Sequence, residues 1–347
     1  MTEHQKNRRV RRVFTWITII ALIGLAYMIR EQILETIQNL GKVNVYILIL
    51  LLPLHIASYF SQAKLYQSIF RILGERFRTK SIYRLVLELN FINNVFPSGG
   101  VSGFSYLPIR MRKEKISTGQ ATLVQLMRFV LVFISFQVLL FVGVFMLAIH
   151  RDVNNLTIFV ATSMTTLLIV GTALLAYIIG NKGRIKSFFT FITRIINYLI
   201  HILRPKHPET INISKAQNAF IELHENYMKI RQNLSQLKRP LLFALGFCVA
   251  EISSIYVVYL AFGQVVNPGA IILAYAVANF AGTISVLPGG IGIYEALMTG
   301  VLVTAGVPAS VSLPVTVMYR ILNMAIALPQ GGLLYYKALH GGPKNSA

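Results

Sequence analysis

The sequence predicts an all-α, polytopic transmembrane helix bundle made of two inverted-topology halves, each containing a Gly/Pro-broken hairpin. Three observations carry this. The 347 residues are 55% hydrophobic but only 13% charged, about half the charged share of a soluble domain. Uncharged apolar runs long enough to cross ~30 Å of hydrocarbon as helices recur along the chain. The net charge of +21 sits in a few short segments between those runs, as a positive-inside bias requires. Spread over alternating segments without a recognition module, the basic residues do not form a nucleic-acid surface.

Taken in order, residues 1–12 hold five basic residues and one acidic residue and read as a cytosolic tail. The first membrane half covers 13–180. Its first run, 13–29, lacks a small-residue cleavage site and reads as a retained anchor; 43–60 is a second crossing, and 129–149 and 156–180 are two more. Between them, 62–80 carries five basic residues and one acidic, and 107–118 carries four and one. Both are assigned to the cytosol, so the stretch between them, near 81–106, enters and returns on one side as a hairpin.

Residues 181–239, with eleven basic and three acidic side chains, read as a cytosolic and interfacial connector. Its part 188–203 mixes apolar residues with Arg194, Asn197 and His201, the pattern of an interfacial amphipathic helix. Arg204, Pro205 and Pro208 separate it from a cytosolic helix within 211–237. The second half, 240–337, has a crossing at 240–262 with a central Glu251, a hairpin near 268–306 required by the same parity, and a last crossing at 311–336 that carries Arg320. Residues 338–347 are a cytosolic tail. The expectation is six full crossings and two hairpins, or ten crossings if each hairpin is a full pair. It places the protein in the cell inner membrane, multi-pass, with both termini cytosolic.

The hairpins share an unusual composition. The first holds Asn90, Asn93, Asn94, Pro97, Ser98, Gly99, Gly100 and Gly103, with Arg128 31 positions after Pro97. The second holds Asn279, Gly282, Thr283, Pro288, Gly289, Gly290 and Gly292, with Arg320 32 positions after Pro288. Inverted repeats with Gly/Pro-interrupted helices point to a transporter with its site at the repeat interface. A break frees backbone N–H and C=O groups, which hydrocarbon tolerates only where they face protein, water or a bound polar group. Tight turns for hairpin packing are the alternative reading of the same residues. Glu251, Glu295, Arg128 and Arg320 lie within or beside apolar segments, where an ion must be paired or face a cavity. Arginine's forked donors suit a lipid phosphate, and buried ion pairing is the alternative. Glu88 and Arg84 read as facing the cytosolic interface.

Cys248 is the sole cysteine, and the seven histidines show no ligand spacing. No metal, cofactor or catalytic nucleophile is expected.

The segments 93–128 and 287–320 resemble the transmembrane region of lysylphosphatidylglycerol synthases and its stand-alone, flippase-like relatives. The pieces are Pro97, Gly99, Gly100, Gly103, Gly119, Ala121 and Arg128, then Pro288, Gly289, Gly290, Gly292, Tyr294, Glu295, Gly306, Tyr319 and Arg320. The motif LPGGIGIYEA at 287–296 is the most specific of them. The resemblance implies an integral membrane lipid translocase. In full-length synthases a separate soluble domain transfers the amino acid from tRNA. The sequence ends about ten residues after its last span, so that transfer is not expected here, and no catalytic residue is assigned.

The implied substrate is an anionic phospholipid or a polyprenyl-phosphate-type lipid. The expected substrate path comprises Asn93, Asn94, Pro97, Gly99, Gly100, Gly103, Arg128, Glu251, Pro288, Gly289, Gly290, Gly292, Glu295 and Arg320, with the arginines meeting the phosphate. Replacing Arg320 by Gln is expected to lower lipid movement and leave folding largely intact. Two other classes stay open: a membrane-embedded lipid-modifying transferase, and an accessory subunit that docks such an enzyme through 188–237.

Overall fold

The computed structural model describes residues 3–96, 101–149, 155–181, 183, 184, 187, 190, 213–285 and 287–340. Among these there are thirteen α-helices and no strand. In chain order they are α1 (Glu3–Met28), α2 (Arg30–Leu40), α3 (Val45–Leu48), α4 (Leu51–Ile72), α5 (Thr79–Val95), α6 (Val101–Met111), α7 (Thr118–Ile149) and α8 (Asn155–Ile179), followed by α9 (Ile213–Gln232), α10 (Lys238–Ala261), α11 (Pro268–Ile284), α12 (Ile293–Thr304) and α13 (Ala309–His340). The protein is a multi-pass membrane bundle. Among the described residues, five stretches are long and apolar enough to span: Val45–Ile72, Thr118–Ile149, Asn155–Ile179, Leu234–Ala261 and Ala309–His340. The outward surface is apolar, with Phe141, Phe145, Phe159, Leu174 and Leu242 more than half exposed, as side chains that face lipid are.

The expected first crossing, 13–29, ends at a sharp bend into α2. Thr15–Met28 and Arg30–Leu40 meet at a bend of 56°, and they make a sixth span only when taken together. The cause is the polarity of α2, whose Arg30, Glu31 and Glu35 are costly in hydrocarbon. The expected amphipathic helix at 188–203 lies outside the described residues, apart from residue 190. The expected helix within 211–237 is α9, which packs against α7. Its Leu223 and Ile230 are buried, and Glu222 accepts from the backbone N–H of Gly119 at 3.3 Å.

Helix order and length repeat along the chain. Helices α4 to α7 have 22, 17, 11 and 32 residues, and α10 to α13 have 24, 17, 12 and 32. Packing follows the same exchange: α4 lies on α10, α5 on α13, and α7 on α11. The α7–α11 contact is backbone to backbone. A Cβ on Gly269 would sit 2.2 Å from the Gly143 carbonyl oxygen, so only glycine allows that approach. Asn267 caps α11 by accepting from the Gly269 N–H at 2.9 Å, with Pro268 at the first helical position, a start signal written in the sequence.

Hydrogen bonds tie the helix ends into two groups. Asn44 N donates to Ala261 O at 2.9 Å, Asn267 Nδ2 to Met146 O at 3.5 Å, and Thr157 Oγ1 to Thr304 O at 3.0 Å. The other group joins Gln120 to Glu75 at 3.5 Å, Lys113 to the Ala338 carbonyl at 3.0 Å, and His224 to the Ile179 carbonyl at 2.9 Å.

Candidate substrate path

The end of α5 and one helix break meet within the bundle, and the sequence places another break there. In chain order, the first lies between α5 and α6, and its residues Pro97, Gly99 and Gly100 fall outside the described residues. The second runs from Ser285 to Gly292. It contains a 3-10 turn, Pro288–Gly290, in which Gly289 has φ +57° and Gly290 φ +69°. Both conformations belong to glycine, and a Cβ on Gly290 would lie 2.9 Å from the Gly282 Cα. The end of α5 packs on this turn: the Asn94 side-chain oxygen lies 3.4 Å from where a Gly289 Cβ would stand.

Around the meeting point is a cavity of about 260 Å³. Six of the expected path residues line it: Asn93, Asn94, Arg128, Glu251, Gly289 and Arg320. Gly103, Pro288, Gly290, Gly292 and Glu295 do not reach its wall, but Gly103, Gly290, Gly292 and Glu295 hold or pack on residues that do. Asn93 Oδ1 accepts from the Gly103 N–H at 3.0 Å and from Ser102 Oγ at 3.2 Å, which ties the end of α5 to the first turn of α6. A Cβ on Gly103 would fall 2.9 Å from that oxygen. Asn94 Nδ2 donates to the Asn90 carbonyl at 2.8 Å.

The two arginines occupy corresponding places, the eleventh residue of α7 and the twelfth of α13, yet their surroundings differ. Arg320 is enclosed. Its Nη1 donates to Glu295 Oε1 and its Nη2 to the Gly289 carbonyl, and the guanidinium lies 4.8 Å from the Tyr294 ring centre. Glu295 is fixed in turn, because its Oε2 accepts from the Gly292 N–H at 2.7 Å at the start of α12, where a carboxylate is favoured by the helix dipole. Both side chains of this pair are under 9% exposed.

Arg128 has no such partner. The helix corresponding to α12 is α6, which contains no acidic residue. Arg128 Nη2 reaches Gln62 Oε1 at a marginal 3.5 Å, and its guanidinium lies 5.3 Å from the Phe129 ring centre and 5.8 Å from that of Tyr66. Its Nε is buried without a hydrogen-bond partner, and among the described residues no carboxylate pairs with it. Glu251 faces the same cavity and, among the described residues, has no cationic partner. Ser58 Oγ donates to its Oε1 at 2.5 Å and Tyr319 OH to its Oε2 at 2.7 Å.

Glu88 corrects the sequence reading. It is 3% exposed and accepts from Tyr106 OH at 2.7 Å and Arg110 Nε at 3.1 Å, so it pins α6 to α5 inside the protein. Arg84 is exposed, as expected. The sequence reading also missed cavity residues, notably Tyr59, Gln62, Tyr275 and Asn323. Their signal was the helical spacing of polar side chains on apolar helices: Ser58 and Gln62 are four apart on α4, and Tyr319 and Asn323 four apart on α13. Among the described residues no group of three or more His, Cys, Asp or Glu side chains is arranged to hold a metal.

The family model described as "Lysylphosphatidylglycerol synthase TM region" matches residues 14–331. The chain belongs to this family. The lysylphosphatidylglycerol synthase TM-region match takes in the bent first span, both broken elements and both arginines. Similar proteins include a UPF0104 membrane protein of Methanocaldococcus jannaschii, 24% identical over 317 residues, which are 90% of this chain and 89% of that one. A UPF0104 membrane protein of Methanothermobacter thermautotrophicus is 25% identical over 185 residues, 47% of this chain and 55% of its own length. One from Pyrococcus horikoshii is 23% identical over 203 residues, 54% of this chain and 61% of its own. The chain thus spans between half and two thirds of the latter two relatives.

Proposed function

We propose that this lysylphosphatidylglycerol synthase TM-region protein is a flippase-like translocase that moves an anionic phospholipid or a polyprenyl-phosphate-type lipid between leaflets, with Arg128 as the phosphate contact. The observation that carries the reading is the unequal treatment of two corresponding arginines. Arg320 is neutralised by Glu295 and holds the second break together. Arg128 stands on a cavity wall within the membrane with no carboxylate beside it. An uncompensated cation there is expensive unless an anion visits, and a phosphate diester supplies the charge and the geometry. The cavity, about 260 Å³, is at the small end of ligand sites. It has room for a headgroup, while the acyl or isoprenoid tails remain in the bilayer.

In this proposal the halves 13–180 and 240–337 are inverted repeats joined by the connector 181–239, and each broken pair, near 81–106 and 268–306, enters and returns at one membrane face. The repeated helix lengths and exchanged packing support it. So do the tied helix ends: the group near 75, 113, 120, 179, 224 and 338 is the basic one, and the group near 44, 146, 157, 261, 267 and 304 is not. The basic group is assigned to the cytosolic face of the inner membrane, together with both termini.

The test is leaflet exchange of labelled phosphatidylglycerol in proteoliposomes. Wild type is expected to accelerate exchange, and Arg128→Gln to lose at least tenfold of that, about 1.4 kcal/mol in the barrier, while keeping its unfolding midpoint. Equal exchange by the folded variant sinks the role of Arg128, and no exchange by correctly inserted wild type sinks translocation of that lipid.

A further inference from the structure

The cavity holds a charge balance that a bound phosphate would upset. Among the described residues its charged lining consists of Arg128, Glu251 and Arg320. Arg320 is cancelled by Glu295, which leaves one cation and one anion. A phosphate diester arriving at Arg128 adds a second negative charge to a cavity set among apolar helices, where an unbalanced ion is strongly disfavoured. Balance returns if Glu251 or its surroundings take up one proton.

The surroundings of Glu251 suit that. On its far side the carboxyl borders a second void, about 10 Å³, no larger than a single water. His55 lines this void with Tyr319 and Asn323, and the His55 Nε2 is buried with no hydrogen-bond partner. Helix α4 presents His55 and Ser58 three residues apart, and Ser58 donates to Glu251. The other titratable or charged groups facing the carboxyl are the phenols of Tyr59 on α4, Tyr275 on α11, Tyr294 on α12 and Tyr319 on α13, the thiol of Cys248 on its own helix, and the cavity arginines. The phenols and the thiol have ordinary ionisations far more alkaline than those of a carboxyl or an imidazole, so they act here as neutral dipoles. Among the described residues, the bases within this shell are Glu251 and His55.

We propose that Glu251 and His55 form a proton-binding site whose occupancy is linked to a phosphate diester on Arg128, so that the lipid crosses with a proton. The proposal rests on the phosphate reading above. When the diester binds, hydronium or a buffer acid of the bulk solution gives up one proton, which forms an O–H bond on the Glu251 carboxylate or an N–H bond on the His55 imidazole, and the conjugate base of the donor stays in solution. When the diester leaves, the proton leaves with it. Sodium is the less suitable ion: the two contacts to the carboxylate are hydroxyl donors, whose hydrogens point where a metal ion would sit, and the void is too small for a coordination sphere.

Reciprocal linkage fixes the signature. Binding of a short-chain phosphatidylglycerol, a diester that does not itself titrate near neutrality, is measured by calorimetry on the full chain in detergent between about pH 5.5 and 8.5, a range that spans imidazole titration. Wild-type affinity is expected to fall about tenfold per pH unit above the midpoint, the slope for one proton, with proton uptake on binding. Glu251→Gln, a neutral mimic of the protonated carboxyl, is expected to flatten the pH dependence by at least tenfold across the range, whatever its absolute affinity. His55→Asn shifts the midpoint. Infrared spectra supply a readout independent of lipid: a carboxylic-acid band that grows as pH falls and is missing in Glu251→Gln. Wild-type binding that is indifferent to pH overturns the proton site and leaves the phosphate reading standing. A pH-dependent band with no lipid binding supports the site and removes the phosphate reading. A band that responds to sodium at fixed pH overturns the proton as the bound ion.

Discussion

At the scale of the residue, one carboxylate decides what each arginine does. Glu295 stands at the third position of α12, fixed by the Gly292 N–H, and it consumes the charge of Arg320. Removing one member of a buried pair strands the other, which costs about 3–5 kcal/mol, while replacing both by neutral groups is far milder. Arg320→Gln is therefore expected to lower the thermal unfolding midpoint in detergent sharply, and Arg320→Gln with Glu295→Gln to recover much of that loss. Additive losses in the double variant would show that the two side chains are not coupled. This replaces the expectation that Arg320→Gln spares the fold, which treated the arginines as equivalent. The sequence exposed the positions of Arg128, Glu251, Glu295 and Arg320 because ions in apolar runs are rare. It did not reveal who pairs with whom, since Glu295 and Arg320 are separated by 25 residues and a helix break.

At the scale of the element, glycines and asparagines join pieces that hydrophobic periodicity cannot join. Gly269 lets α11 lie against α7, and Gly269→Ala would put a methyl carbon 2.2 Å from the Gly143 oxygen. Overpacking at such a contact is expected to cost about 1–3 kcal/mol, read as a lowered midpoint. Asn93→Ala takes away the acceptor of the Gly103 N–H, at about 1–3 kcal/mol if no water replaces it. Faster amide exchange at the start of α6 than in α7 would check this, and unchanged exchange would mean the tie is dispensable. The long spans were legible because an uninterrupted apolar run at 1.5 Å per residue has one interpretation in a bilayer. The bend at Ile29 was less so, because it depends on the helix after it being too polar to continue. Glu88 was misread for a related reason: a charge near a basic segment suggests an interface, and nothing local announced that Tyr106 and Arg110 would cover it.

At the scale of the whole molecule, the arrangement of helix ends converts the charge pattern into a topology that labelling can test. The hydrogen bonds at Asn44–Ala261, Asn267–Met146 and Thr157–Thr304 gather ends with few basic residues. Those at Gln120–Glu75, Lys113–Ala338 and His224–Ile179 gather ends that carry most of the +21. A broken pair that crossed the membrane fully once, instead of returning, would put Glu75 and Gln120 on opposite faces. Cys248 is the sole cysteine and is buried, so a Cys248→Ala background accepts single cysteines at exposed sites. Membrane-impermeant maleimide added to intact cells is expected to label Val265→Cys, at a position 82% exposed, and to leave Arg112→Cys and Gln236→Cys unlabelled until the membrane is opened. Protection at all three would place position 265 away from the outer face. Labelling of Arg112→Cys in intact cells would place the basic end outside, reversing the orientation while keeping the inverted-repeat reading. Labelling of Arg112→Cys but not Gln236→Cys would separate two ends that the positive charge and the α7–α9 contact place together, and would remove the inverted-repeat reading itself.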